Sequence, residues 1–366
     1  MASQDRRGTE IAVIGAGIGG LCAARAIQLA GYRPRLIERN PETAVGAALA
    51  LWPNAILALD RLGCGDTVRD AGMPVRRVLI SSSSGARLSE LDVDAVARRA
   101  GAQMVLIERR LLHELVAAGL EEPRLATVSE VEDQRVKLEG GESISAAAVI
   151  GADGVGSVAR RYVNREATVE DAGYTAIRGI ADHALGDGLA CEAWGSNELI
   201  GAAALPDSRT YWFYEAPSTH IDPADPLAAV RRTRWPEPWP EIVSSTDADG
   251  LLVHAIRTVT PLRSWTRGHV TVLGDAAHAM EPNLGQGAAQ AIEDAAALLA
   301  ALRAHDDLGA ALRAYANARQ SRATMVQRES ARAAGLALSR HTLARNLLVR
   351  AVPDVVRSMM IGRLLG

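Results

Sequence analysis

Aromatic side chains are scarce in this chain, at 4% of 366 residues, and cysteine is scarcer still. Cys22, Cys64 and Cys191 are odd in number and far apart, which excludes a disulfide framework and a CxxC metal or redox pair. A reducing cytoplasm is the expected setting. Neither sign of charge dominates: 40 Lys and Arg stand against 43 Asp and Glu, for a net charge of −3 and a pI near 6.3. That balance argues against a nucleic-acid partner and suits a small neutral or anionic substrate. No uncharged apolar run is long enough to span a membrane, and the N-terminal MASQDRRGTE lacks the apolar stretch of a signal peptide. No His, Cys or acidic cluster has metal-ligand spacing, so no metal is expected, and no internal repeat is present.

What the chain does have is apolar content of 48% and a length beyond what one core usually serves, so two lobes are expected. It opens as a βαβ unit, with a strand at 11–14, a helix at 18–30, a turn at Gly31 and a strand at 34–38. Helical patterns recur at 54–62 and 109–118. Strands are expected at 135–138 and 143–150, joined through Gly140 and Gly141 as a hairpin, and 81–85 reads as a hairpin tip. From about 172 to 265 strands predominate (174–180, 199–205, 209–215, 251–256) between Pro- and Asp-rich loops. Ala-rich helices follow at 286–304 and 308–335, then a last helical segment from Arg340, broken near Pro353. The expected fold class is α/β: a discontinuous Rossmann-like domain, an inserted sheet-based domain and a C-terminal helical segment.

Residues 273–287, LGDAAHAMEPNLGQG, follow a β-branched run and precede a helix. Asp275 thus falls at the carboxyl end of a strand, where open α/β sheets bind ligands, and can accept hydrogen bonds from a sugar hydroxyl. Pro282 stiffens the loop, Gly285 and Gly287 let its backbone approach a ligand, and the helix start offers free N–H groups to an anion or polarised carbonyl. An ordinary strand-to-helix turn capped by the Asp is the alternative. Gly15-Ala16-Gly17-Ile18-Gly19-Gly20 is a GxGxxG between strand and helix, the spacing of a dinucleotide turn; a purely structural glycine turn is its alternative. Glu38, at the end of the second strand, can take both hydroxyls of an adenosine ribose and disfavours a 2′-phosphate. No second GxGxxG follows. The nearest candidate, Gly151-Ala152-Asp153-Gly154 with Ser157 and Arg160 beyond it, reads either as a further ligand turn or as a plain turn with both side chains in solvent.

In order and spacing these motifs resemble those of the class A flavoprotein monooxygenases, the family of para-hydroxybenzoate hydroxylase and salicylate hydroxylase. The resemblance runs over nearly the whole chain. The GxGxxG with Glu38 is similar to the family's adenosine-phosphate turn, VIGADGVGSVAR at 149–160 to the motif serving both FAD and NAD(P)H, and the Asp275 segment to the one holding the ribityl or ribose part of FAD. Smaller echoes are VGAALALWPNA at 45–55 and the helix start with Arg109, Leu112 and His113. The resemblance implies non-covalent FAD on Gly15, Gly17, Ile18, Gly19, Gly20, Glu38, Arg39, Arg109, Val131, Asp153, Gly154, Asp275, Gly285, Gln286 and Gly287. Pro282, Asn283 and Gly285 would line the flavin, which itself supplies the chemistry, so no side chain is assigned as certainly catalytic.

The implied reaction takes NAD(P)H and O2 and passes one oxygen from a flavin C4a-hydroperoxide to an aromatic or polycyclic small molecule, by hydroxylation or epoxidation. An FAD oxidase or reductase of the same fold, acting on a lipid or pigment precursor, is the alternative. A flavin halogenase is disfavoured, because 235–239 reads WPEPW and not WxWxIP. The implied domains are an FAD-binding domain at 1–72, 101–165 and 266–335, a substrate domain at 73–100 and 166–265, and a C-terminal helical segment at 336–366. A monomer or homodimer is expected.

The substrate wall is expected from the second sheet. In TYWFY, alternation puts Trp212 and Tyr214 on one face and Tyr211 and Phe213 on the other. Trp212 and Tyr214 are the rings assigned to the substrate, with Pro282 beside them and Arg178 toward an anionic group; core packing for the rings and plain exposure for Arg178 are the alternatives. His278 is expected to fix the Asp275 loop by a hydrogen bond. The segment from Arg340, with its leucines and arginines, is read as docking on the FAD lobe or a second subunit, in preference to a membrane surface.

Overall fold

The computed structural model describes residues 6–40, 47–247 and 250–365. Val45 and Gly46 of the VGAALALWPNA stretch lie outside them. Strand Glu10–Ile14 is central in a six-stranded sheet, flanked by Ala148–Gly151 and Arg33–Glu38; Val270–Val272 and Thr266–Arg267 extend one edge and Arg124–Leu125 the other. All neighbours are parallel except the short Thr266–Arg267 strand. Ile11, Ala12 and Val13 are fully buried, as the continuous apolar run of a parallel strand covered on both faces requires. Helix Ile18–Leu29 packs against helix Gly287–Ala304. Small residues permit the close approach: a Cβ on Gly19 would stand 3.2 Å from that of Ala291.

The expected strand at 143–150 is in fact two. Ser143–Ser145 pairs with Arg135–Leu138 across Gly140 and Gly141, both at positive φ, in a small antiparallel sheet completed by Val128–Glu132. The backbone then changes partners, Ala146 N donating to Gln134 O and Ala147 N to Glu10 O, and Ala148–Gly151 enters the parallel sheet. A separate sheet of Ala48–Leu51, Val105–Glu108 and Met73–Pro74 was not expected; each piece is too short to show a period.

The second lobe is a seven-stranded sheet in the order Leu252–Val259, Val169–Ala181, Thr210–Pro217, Leu199–Ala204, Leu189–Trp194, Arg77–Ser82 and Arg87–Asp92. The tip between the last two carries Gly85 at φ 82°. Helices Pro226–Arg232 and Trp239–Ser244 cover one face of this sheet. After the long helix Leu308–Ala337, helices Thr342–Ala351 and Asp354–Leu365 are separated at Pro353. The expectation was docking on the FAD lobe or a second subunit; within the chain they dock mainly on the second lobe, the first on Arg87–Asp92 and the second on helix Val93–Ala100. Leu343, Leu347 and Leu348 stay exposed. No helix among the described residues is long and apolar enough to cross a membrane.

Candidate active site

Three turns converge at the carboxyl ends of the central parallel strands. In the first, Gly15 adopts φ 98° and donates its N–H to Ile37 O at 2.8 Å. A Cβ there would sit 2.3 Å from Ala152 O, and one on Gly20 would be 1.9 Å from Gly15 O, so these glycines close the turn. Gly17 differs: no atom lies within 4 Å of where its Cβ would be. It stands at the N-cap of helix Ile18–Leu29 with no side chain capping the first turn, an open cradle of backbone donors. Glu38 folds over this turn, its Oε2 accepting from Ala16 N at 2.7 Å and its Oε1 from Asn40 N at 2.9 Å. His113 reaches Ala16 O from the opposite side, at 2.8 Å. Arg39 is exposed beside Glu38.

The second turn spends its polar side chains internally. Asp153 accepts from Ser157 Oγ at 2.5 Å with Oδ1, and from Val158 N at 2.6 Å with Oδ2. These bonds hold the Asp153 side chain within the turn, and the segment also offers Gly154, at φ 72° with open space around it. The solvent-exposed alternative fails. Ser157 and Arg160 are buried, Arg160 donating to Ala276 O at 3.1 Å and Val155 O at 2.6 Å and so tying this turn to the third. Val131 is buried in the core of the same lobe, leaving only its backbone for a ligand.

The third turn leaves Val270–Val272 through Gly274 at φ 58°, and Asp275 opens the four-residue helix Asp275–His278 with its side chain exposed. Beneath it lies Asp294, fully buried, accepting from Gly274 N at 2.9 Å, His278 Nε2 at 2.7 Å and Arg319 Nε at 2.7 Å. His278 therefore fixes the loop, as expected. Burial alone would raise the proton affinity of Asp294, but His278 and Arg319 outweigh it and hold the pKa at about 2. Pro282–Leu284 forms a 3-10 turn ended by Gly285 at φ 61°, and Gly287 faces open space. The Gln286 side chain is held by Asn54 at 3.0 Å, which leaves that residue's backbone for a ligand.

Arg109 faces Asp275. Burial lowers its pKa and the Asp275 charge opposes that, yet it makes no ion pair among the described residues. An inward guanidinium without a protein partner, an exposed aspartate and a glycine cradle at a helix start together fit an anionic, sugar-bearing dinucleotide such as FAD.

The second lobe presents its other face to these turns. Trp212 and Tyr214 are not on it: both are buried beneath the two covering helices, with Trp212 Nε1 donating to Thr246 Oγ1 at 2.7 Å and Tyr214 OH to Glu198 Oε2 at 2.6 Å. The strand register puts Arg178 opposite Phe213, Ala176 opposite Glu215 and Gly201 opposite Phe213, so Tyr211, Phe213, Glu215 and Arg178 share the face toward the turns. Glu215 escaped the sequence reading. Its Oε2 accepts from Asn283 Nδ2 at 2.8 Å, and Asn283 Oδ1 accepts from Tyr174 OH at 3.0 Å, so the loop after Pro282 is fastened to this sheet. The alternation that located the aromatics also placed Glu215 with Tyr211 and Phe213, and that was the available signal.

Residues 8–330 match the family described as FAD binding domain. The chain is 32% identical to an aurachin C monooxygenase/isomerase of Stigmatella aurantiaca over 87% of each chain. It is 31% identical to a 2-heptyl-3-hydroxy-4(1H)-quinolone synthase of Pseudomonas aeruginosa over 97% of each. Among solved structures, Klebsiella pneumoniae HpxO complexed with FAD and uric acid superposes with a TM-score of 0.90 at 26% identity, covering 98% of this chain and 97% of that one.

Proposed function

The chain belongs to the FAD-dependent class A flavoprotein monooxygenases, and from that premise we propose that it uses NAD(P)H and O2 to hydroxylate or epoxidise an aromatic or polycyclic small molecule. The observation that carries this reading is the convergence of the three turns, with exposed Asp275 opposite Arg109, which has no ion pair among the described residues. Relatives named for a 4(1H)-quinolone and, in a solved structure, uric acid support a fused heteroaromatic ring as substrate.

When bound, FAD supplies the acceptance of hydride and the delivery of oxygen. The protein supplies the rest. Glu38 and the glycine turn would hold the adenosine end, with Gly17 admitting the pyrophosphate. Asp275 would take the ribityl hydroxyls and Arg109 the negative charge beside them. Backbone donors of 286–287 would border the ring, where a helix start favours developing negative charge. Asp294 positions that loop from below and is not itself exposed to reactants. We assign 1–72, 101–165 and 266–335 to cofactor binding and 73–100 with 166–265 to substrate, in a cytoplasmic monomer or homodimer.

Purified protein should be yellow with near-stoichiometric FAD, and an aromatic substrate should accelerate NAD(P)H oxidation and gain sixteen mass units. Colourless protein that takes up no FAD on reconstitution refutes the reading. Asp275→Ala should lose FAD on dialysis while keeping its fold by circular dichroism; full flavin occupancy would remove Asp275 from the site.

A further inference from the structure

The face of the second sheet that looks toward the three turns is unusual in carrying two carboxyl groups. Glu215 is 1% exposed. Glu192 lies opposite Gly201 in the register and so on the same face, held by Trp194 Nε1 at 2.7 Å. Between them the Phe213 ring lies directly over Gly201, where any Cβ would meet it at 2.2 Å, and Tyr211 stacks beside it at 5.9 Å between centroids. The glycine thus clears a flat aromatic floor. Arg178 lies on this part of the face, and its charge already acts on Glu215.

Glu215 has a specific geometry. One oxygen is fixed by Asn283, whose amide is oriented by Tyr174, so the carboxyl cannot turn away. The other, Oε1, takes no hydrogen bond from the described residues, yet it is not among the buried atoms left unmatched and so keeps access to solvent. Asn283 belongs to the loop that runs from Pro282 to Gly285, so this free acceptor stands where sheet and loop meet. A ligand that covers this acceptor takes it out of water, so a ligand donor that satisfies it is selected strongly over an isostere lacking one. Burial raises the Glu215 pKa to about 7, Arg178 and Asn283 opposing it and Glu192 adding to it, so both an acceptor and a neutral form are accessible near neutrality.

We propose that Glu215 Oε1 is the specificity element of the substrate site: it accepts a hydrogen bond from the ring N–H of a planar heteroaromatic that carries no carboxylate and rests on Phe213 and Tyr211. This rests on the monooxygenase reading above. A carboxylate-bearing ring would bring a third negative group beside Glu215, on which the Glu192 charge already bears.

The test uses the flavin-loaded full chain and equilibrium dialysis against 4(1H)-quinolone, its N-methyl derivative and quinoline-4-carboxylate. The N–H compound should bind about tenfold or more tightly than the N-methyl compound, and the carboxylate most weakly. Glu215→Leu should bring the first two within about twofold at unchanged flavin content, and Glu215→Gln, which keeps an acceptor, should retain part of the preference. Wild-type protein that binds the first two compounds alike, or binds none of the three, overturns the proposal, as does a Leu variant that still discriminates. Flavin absorbance, read before any quinolone is added, reports separately on the monooxygenase reading, and dialysis reads the quinolones whether or not flavin is bound.

Discussion

Gly15 and Gly17 stand two residues apart and have opposite requirements. Gly15 holds φ 98° with Ala152 O against it, so a methyl group there is strained by both backbone and contact. Gly17 has φ −69° and free space, so alanine is compatible with its fold. Gly15→Ala should therefore cost at least about 2 kcal/mol of stability and lose flavin with it. Gly17→Ala should leave unfolding within about 0.5 kcal/mol of wild type, yet weaken FAD binding about tenfold because the methyl fills the phosphate approach. Urea unfolding of the apoprotein and flavin titration separate the two effects; equal stability losses would mean that Gly17 is also structural. The motif was legible in sequence, but this division of labour was not, since it depends on Ala152 arriving from a strand some 140 residues away. Glu215 shows the same limit. Alternation assigned its face, while the choice of which face meets the cofactor lobe was set by helices Pro226–Arg232 and Trp239–Ser244 covering the other.

At the scale of elements, the Asp275 loop is held by a partner that local patterning does not reveal. Asp294 sits inside an Ala-rich helix where the pattern predicts only packing, yet it joins the loop, its own helix and Leu308–Ala337 through three hydrogen bonds. Replacing one member of such a buried charged set leaves the others uncompensated. Asp294→Asn should cost about 3 kcal/mol and reduce FAD retention without contact between Asp294 and the cofactor. The acid response follows from its depressed pKa of about 2. A carboxyl whose folded pKa lies below its unfolded value stabilises the fold above the unfolded value and loses that contribution as pH falls toward 2. Wild type should accordingly lose more stability between pH 5 and pH 3 than Asp294→Asn, measured by chemical unfolding at each pH. Parallel losses would show that Asp294 does not carry this linkage. The central βαβ unit was readable because its strands are buried on both faces, whereas the break at Ala146 and Ala147 was not: two alanines carry no turn signal, and it is the change of pairing partner that divides the strands.

At the scale of the whole molecule, the C-terminal helices join regions far apart in sequence. Amphipathic spacing identified them as docking elements but could not say against what, because an apolar stripe specifies a face and not its partner. Arg345 decides it. This buried arginine donates to Gly195 O at 2.8 Å, Ala337 O at 2.8 Å and Trp194 O at 3.2 Å, with its guanidinium 5.5 Å from the centre of the Trp194 ring. Arg350 and Arg357 extend the attachment to the carbonyls of Arg87 and Glu90. Farther along, Arg322 donates to Leu364 O, and Ile361 and Leu365 pack in a cluster with Trp52 and Met104, so the segment returns toward the cofactor lobe. Its anchor is therefore on the seven-stranded sheet. Arg345→Met preserves the length and apolar stem of the side chain but takes away the donor to Gly195 O and Ala337 O, while Trp194 O keeps Ser83 N, a loss of about 2–4 kcal/mol. Thermal unfolding should begin at a lower temperature, with tryptophan emission changing before flavin is released, while FAD content at room temperature stays at the wild-type level. Flavin loss that precedes or accompanies the tryptophan change would instead make the C-terminal helices part of the cofactor lobe.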